Sequence, residues 1–296
     1  MNTNTQQSDQ LRRFVFDNLD ARGCIVNLQE TCEAIQATHH YPASLAGLLN
    51  QFAVAVCLLR DSIKIQGSVT IQLRAPGTLS LMMADCMSDR RVRAIAEYDA
   101  EVFPAGSTVD FSRLGKDAVL AITITPDDGE RYQGIVPIEH ASLEECLEDY
   151  FTRSEQLPTW FRLLADEDQA VGIALHALPA DKITDADAST QHFERLKMLL
   201  KALEAEEALA LNAEQTLTRL FHEESCRLFE ARPMSFGCHC SAEKSLDAVR
   251  GLGEDEIKAL IAEHQAEGKD ALIVDCHFCF QRYEFDFSQL LSQHPA

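Results

Sequence analysis

The sequence predicts an α+β protein in three parts. These are a mixed α/β, sandwich-like domain over 1–179, a helical linker over 180–232 and a small cysteine-bearing domain over 233–296. Three observations predict this division. Strand patterns mix irregularly with helical patterns as far as Pro179, which suits a layered α+β domain better than a regular βαβ array. The composition then turns small and polar over 181–190, before apolar residues return at helical spacing. Finally, four of the chain's 10 cysteines fall in two tight pairs near the C-terminus.

The elements follow in order. Residues 13–16 and 23–28 read as short strands, and 31–38 and 43–60 as helices. Tyr41-Pro42 parts the two helices, because the residue before a proline is pushed out of the helical region. The run 67–73 (Gly-Ser-Val-Thr-Ile-Gln-Leu) alternates polar and apolar residues, as a half-buried strand does, and 78–84 pairs with it across Ala75-Pro76-Gly77. The β-branched run 118–125 passes through Pro126-Asp127-Asp128-Gly129 into 131–138, forming a hairpin. Residues 143–154 read as a helix, with Ser142 as N-cap and Glu145 at the capping-box position. A last pair of strands covers 160–165 and 170–178.

In the linker, Phe193, Leu196, Leu199, Leu200 and Leu203 recur at helical spacing, and Leu217, Leu220 and Phe221 mark a second short helix. Their apolar faces with dense charge elsewhere suit helices docked on a larger body; an ordinary surface helix pair gives the same pattern. Beyond Pro233, helices over 242–250 and 255–264 and strands over 272–274 and 283–287 make a unit of roughly sixty residues. A unit of that size often needs a metal or disulfides to fold.

The cysteine pairs supply that support. Cys238 and Cys240 flank His239, and Cys276 and Cys279 flank His277 and Phe278, with 35 residues (241–275) between the pairs. Two short cysteine turns brought together offer four thiolates at the corners of a tetrahedron, the grammar of a structural zinc site with one ion per chain. His239 and His277 are rival ligands, but a side chain between two ligands usually points away from the metal. Four thiolates on one dication leave a site charge of about −2, so the sulfurs stay nucleophilic towards oxidants. Oxidising any two of them removes two ligands, and the unit loses the binding free energy that folds it. Cys276 and Cys279 close a disulfide with less strain than Cys238 and Cys240, so the distal pair is expected to oxidise first. Cys24, Cys32, Cys57, Cys86, Cys146 and Cys226 stand alone and read as small apolar residues.

Composition excludes other classes. The formal net charge is −21, with 26 Lys+Arg against 47 Asp+Glu, and no stretch of sequence reads as a basic patch. Nucleic acid and an anionic membrane surface are therefore not expected partners. The first ten residues lack the apolar core of a signal peptide, and the longest apolar run, 52–59, is far short of the ~20 residues that cross a bilayer. The expectation is a cytoplasmic protein whose cysteines are thiols or metal ligands. Nucleophile-elbow, phosphate-loop and dinucleotide-turn motifs are absent.

The Cys-x-Cys and Cys-x-x-Cys pairs, in this order at the C-terminus, resemble those of the redox-regulated 33 kDa chaperonin family, bacterial heat-shock holdases. Residues 123–134 (Thr-Ile-Thr-Pro-Asp-Asp-Gly-Glu-Arg-Tyr-Gln-Gly) and 147–159 (Leu-Glu-Asp-Tyr-Phe-Thr-Arg-Ser-Glu-Gln-Leu-Pro-Thr), Tyr41-Pro42 and the mass of 33.0 kDa extend the resemblance over nearly the whole chain. The stretch 170–176 departs from the family pattern, with only Gly172 clear. The resemblance implies an ATP-independent chaperone for unfolding client proteins under oxidative and heat stress, not an enzyme. It implies a reduced, inactive form holding zinc through Cys238, Cys240, Cys276 and Cys279. It implies Cys238–Cys240 and Cys276–Cys279 disulfides on oxidation, melting of the linker and a homodimer on activation. The rival is a thiol–disulfide oxidoreductase using Cys276-His277-Phe278-Cys279, a motif that normally opens a helix and lowers a thiol pKa.

Overall fold

The computed structural model describes residues 9–63, 66–77, 79–100, 109–154, 156–179, 181–183 and 185–291. The expected polar start over 1–8 and Thr78, first residue of an expected strand, lie outside them. The chain divides into two units, Met1–Gly237 and Cys238–Ala296.

The first unit runs β1 (Gln10–Phe16), β2 (Ala21–Leu28), α1 (Glu30–His39), α2 (Ala43–Ser62), β3 (Gly67–Ala75), β4 (Leu79–Cys86), β5 (Arg91–Tyr98), β6 (Val119–Pro126), β7 (Tyr132–Val136), α3 (Leu143–Arg153), β8 (Thr159–Ala165) and β9 (Ala170–Ala177). Then follow α4 (Ala186–Lys201), α5 (Ala205–Ala210), α6 (Ala213–Phe221), β10 (Cys226–Leu228), β11 (Arg232–Pro233) and β12 (Ser235–Phe236). One sheet has the order β10-β1-β2-β9-β8, with β11 also on β1; the other has the order β12-β5-β4-β3-β6-β7.

Helix α2 packs against strands of both sheets, which makes it the middle layer of the sandwich. Its apolar residues run round all faces because both sides are covered; Leu49, Phe52, Val54, Val56 and Leu58 are buried. By length and composition it would cross a membrane, but 72% of that stretch is buried inside the chain. The longest apolar run in the sequence had understated this helix, because Asn50, Gln51 and Gly47 interrupt it. Gly172 on β9 is the glycine that α2 requires: a Cβ there would meet the Val54 Cβ at 2.9 Å.

Six elements of this unit differ from the sequence reading. Strand β5 was missed because its alanines and Glu97 favour helix; pairing with β4 and burial of Val92, Ala94 and Ala96 override that preference. Helix α4 begins at Ala186, inside the stretch expected to be linker, where the Asp185 carboxylate accepts from the amides of Asp187 and Ala188. Helix α5 was also missed, being a single short turn of charge and alanine. Strands β10, β11 and β12 are too short to show a period, and pairing with β1 and β5 alone defines them.

The linker helices cover the second face of the first sheet. Leu196, Leu200, Leu203, Leu217, Leu220 and Phe221 are buried with Phe14, Phe16, Ile25, Ile173 and Leu175 of β1, β2 and β9. Covered on both sides, β9 is buried at seven consecutive positions, Ala170 to His176. Polar anchors reinforce the dock. Arg162 on β8 donates Nε and Nη2 to the Leu203 carbonyl at 3.0 and 2.6 Å. The buried Asp20 carboxylate accepts from the amides of Asp181, Lys182 and Ile183 at 3.0–3.2 Å. Burial works against that charge, and the three amides outweigh it, so the Asp20 pKa lies below its ordinary value.

His176 makes the unit sensitive to acid. Its ring lies between Thr159 Oγ1 at 3.0 Å and Ser62 Oγ at 3.2 Å, and burial, aided by the nearby Arg22 charge and opposed by Asp61, lowers its pKa to about 4. An unfolded histidine titrates near 6.5, so between the two values the unfolded chain takes up the proton and the folded chain does not. This contribution is intact above about pH 6.5 and is lost as pH falls towards 4, on the order of 3 kcal/mol. Glu148 opposes it: burial raises its pKa to about 7, and its contribution fades as pH rises from about 4.5. Urea unfolding followed by Trp160 fluorescence should therefore show His176→Gln gaining stability relative to the unaltered chain as pH falls from 6.5 to 4.5. A difference that stays constant over that range would remove His176 from the account.

Candidate metal centre

The second unit contains α7 (Ala242–Arg250), α8 (Glu254–Ala266), the hairpin β13 (Ala271–Asp275) and β14 (Arg282–Asp286), and α9 (Phe287–Leu291). The sequence reading extended the last strand to 287, but Phe287 starts α9 and joins the core through its packing. That core is small: Val249, Ile257, Ile261, Leu272, Phe285 and Leu290 are its buried apolar side chains.

The hairpin carries one cysteine pair. Asp275 and Arg282 close it as register partners, with Arg282 Nε and Nη2 on the Asp275 carboxylate at 2.8 and 3.0 Å. Cys276 N–H donates to the Gln281 carbonyl at 2.9 Å and Phe280 N–H to the Cys276 carbonyl at 2.8 Å, which folds the chain into a tight knuckle. Phe280 accepts a left-handed φ of 53° to complete it. The other pair lies on the extended segment that enters α7, whose first turn Ser241 caps through the Lys244 amide at 3.2 Å.

The fold brings the four sulfurs together. Cys238 Sγ lies 3.7 Å from Cys276 Sγ, Cys240 Sγ lies 3.5 Å from Cys279 Sγ, and all four atoms fall within 4.8 Å of one another. Metal–sulfur bonds of about 2.3 Å at tetrahedral angles require sulfurs about 3.8 Å apart. The donor set therefore fits a soft divalent ion. His239 and His277 are not among the gathered donor atoms.

The surroundings favour negative sulfur only in part. Amides of Phe278 and Cys279 point at the Cys276 sulfur and that of Gln281 at the Cys279 sulfur. Tyr283 Oη donates to Cys240 Sγ at 3.2 Å, a contact the sequence reading missed, and this bond raises the tyrosine to about 12. Even so, burial and the neighbouring sulfurs raise Cys276 and push Cys279 up to about 12. Four thiolates this close need a cation between them.

The same facts disfavour a thiol–disulfide oxidoreductase. Cys276 and Cys279 sit in a β-turn rather than at a helix N-terminus, and their thiols are raised rather than lowered. Of the remaining cysteines, Cys24, Cys32, Cys57, Cys86 and Cys146 are buried, and Cys226 is half-buried. Burial raises Cys24, Cys32, Cys57 and Cys146, and Cys226 to about 11, as suits inert packing groups.

Comparison with known proteins agrees with the site. The family model described as "Hsp33 protein" matches residues 9–286. A "33 kDa chaperonin" of Pseudomonas paraeruginosa is 43% identical over 283 residues, 96% of this chain and 93% of its own length. One from Azotobacter vinelandii is 42% identical, covering 95% of this chain and 93% of its own length. The crystal structure of the 33 kDa chaperonin from Thermotoga maritima superposes with a TM-score of 0.75 over 95% of this chain and 96% of that one; at 20% identity it bears on the fold alone.

Proposed function

The chain belongs to the Hsp33 family, and from that premise we propose that it is a redox-regulated, ATP-independent holdase for unfolding proteins. It is a binding protein in this reading, not an enzyme. The observation that carries it is the gathering of four sulfurs within 4.8 Å inside a unit with a six-residue apolar core. A zinc ion held by Cys238, Cys240, Cys276 and Cys279, one per chain in the reduced form, supplies the cross-link that this core lacks.

Oxidation acts on the sulfurs. Peroxide takes two electrons from the Cys276 and Cys279 thiolates, which join in a disulfide; its O–O bond breaks and, with two protons drawn from solvent, it leaves as two waters, so that only Cys238 and Cys240 are left as donors. A second peroxide joins these two in the same way. The short ring between Cys238 and Cys240 places that step second. With its donors consumed, the unit over 233–296 loses the free energy that folds it.

The linker over 180–232 is the next element to yield. It is joined directly to the cysteine unit and holds its place by one apolar face and a few polar anchors. Its release uncovers Leu196, Leu200, Leu217 and Phe221 together with Phe14, Phe16 and Ile173 of the sheet, an apolar surface of the kind that unfolding clients bind. A charge of −21 keeps that surface from precipitating, and a pair of chains can shelter it between clients.

The test compares reduced chain with chain treated with peroxide at raised temperature. We expect one zinc and four thiols to be lost per chain, peptides linking Cys238 to Cys240 and Cys276 to Cys279, and suppression of citrate synthase aggregation only after treatment. Equal suppression by both forms would end the proposal.

A further inference from the structure

The sequence contains no basic patch, yet the fold builds one. Arg13, Arg22, Arg60, Arg90 and Arg232 come from β1, β2, α2, the turn before β5 and β11. They line two adjoining clefts of the first unit, about 770 and 390 Å³. The clefts share a wall made of Arg13, Asp61 and Arg232. In that wall the Asp61 carboxylate accepts from Arg13 Nε at 2.7 Å and from Arg232 at 3.1 Å, so one carboxylate serves two guanidinium groups.

The other three arginines have no carboxylate partner among the described residues. Arg60 Nε is buried without a hydrogen-bond partner, a cost the fold does not recover from the protein itself. Glu230 is the other acid on the lining, and it is exposed. Five guanidinium groups thus face two carboxylates in a chain whose net charge is −21. Like charges gathered this closely repel one another, and an anion seated in the clefts would relieve that repulsion. Guanidinium groups bind phosphate oxygens through paired N–H donors, which makes phosphate the best match among common anions.

We propose that these two clefts form one binding site for a compact multivalent phosphate, with the Arg13–Asp61–Arg232 wall between its two lobes. The roof of the larger lobe is the strap from Phe229 to Arg232 at the end of the linker. That strap is tied to β1 by Arg12 Nε on the Phe229 carbonyl at 2.9 Å and by the Phe229 amide on the Arg13 carbonyl at 2.8 Å. An anion touching Arg232 from the strap and Arg22 or Arg60 from the body binds only while the strap is down. Its binding therefore opposes release of the strap by mass action. The site lies wholly in the first unit and uses none of Cys238, Cys240, Cys276 and Cys279, so it stands or falls separately from the redox reading.

The experiment is calorimetric titration of the reduced full chain with pyrophosphate, against sulfate and chloride at matched ionic strength. Saturable binding at one per chain is expected, weakened at least tenfold in the Arg22→Gln, Arg60→Gln double variant and unchanged in Arg131→Gln, which removes an exposed arginine elsewhere. In the unaltered chain, pyrophosphate should shield Arg22 and Arg60 from phenylglyoxal in peptide maps and slow amide exchange over 226–236. This second arm needs no variant to fold. Absence of saturable binding, equal loss of affinity in Arg131→Gln, or unchanged phenylglyoxal labelling of Arg22 and Arg60 would each overturn the site.

Discussion

Cys276→Ser should purify without stoichiometric zinc and with its C-terminal unit unfolded. The substitution leaves three sulfur donors, and the serine hydroxyl is a poor match for a soft metal site. The metal contributes on the order of 10 kcal/mol to small folds of this kind, comparable with the whole stability of a domain. Among the described residues, what remains is a core of six buried apolar side chains with a few half-buried ones packed on it, and the Asp275–Arg282 pair, which is largely exposed and worth little. Hydrogen exchange is the measurement. Peptides from Glu254–Ala266 should be protected in the reduced chain and should exchange fully at the first time point in Cys276→Ser. Chelation of zinc from the unaltered chain should give the same result. Retained protection in both would mean that the small core folds unaided, and the switch would lose its physical basis.

Phe221→Ala should separate the linker from the metal. Phe221 is 2% exposed and packs edge-on against Phe16, with ring centroids 5.1 Å apart, and at a tilt against Phe14 at 6.1 Å. Removing such a ring from a packed site costs about 3–5 kcal/mol. That cost falls on the dock between α6 and the sheet, so the linker should detach while the chain is reduced and zinc is still bound. A built-in reporter exists: the chain's one tryptophan, Trp160, has Lys197 Nζ 3.3 Å from its ring centroid, and Lys197 belongs to α4. Detachment should shift Trp160 emission and give aggregation suppression without oxidant. A reduced Phe221→Ala chain with unaltered emission and no suppression would show that the linker is not the covering element.

Several parts of the molecule were legible in the sequence because their signals are local. The hairpin β6–β7 announces itself through β-branched residues on either side of a Pro-Asp-Asp-Gly turn. Helix α7 matches its expected bounds because Ser241 caps one end and Gly251 follows the other. The four metal-ligand candidates are residue types with a spacing that few other roles produce. Illegible elements were those that exist only through partners. Strand β5 is rich in helix formers, and β10, β11 and β12 have two or three residues each. Asp20 looks like any surface aspartate until the chain returns to it more than 150 residues later.

The sequence by itself marked out the candidate chemistry of the C-terminal unit: four thiols in two tight pairs, in a stretch of a size that often needs a metal or disulfides to fold, can be read from residue type and separation. It also showed that the linker helices carry apolar faces, a pattern shared by helices docked on a larger body and by an ordinary surface helix pair. Only the tertiary structure decided what they dock on and which basic groups meet. Arg13, Arg22, Arg60, Arg90 and Arg232 are scattered along an acidic chain, and no local pattern marks them. Charge acts through space, so a cluster of like charges becomes visible only when the fold has fixed the distances.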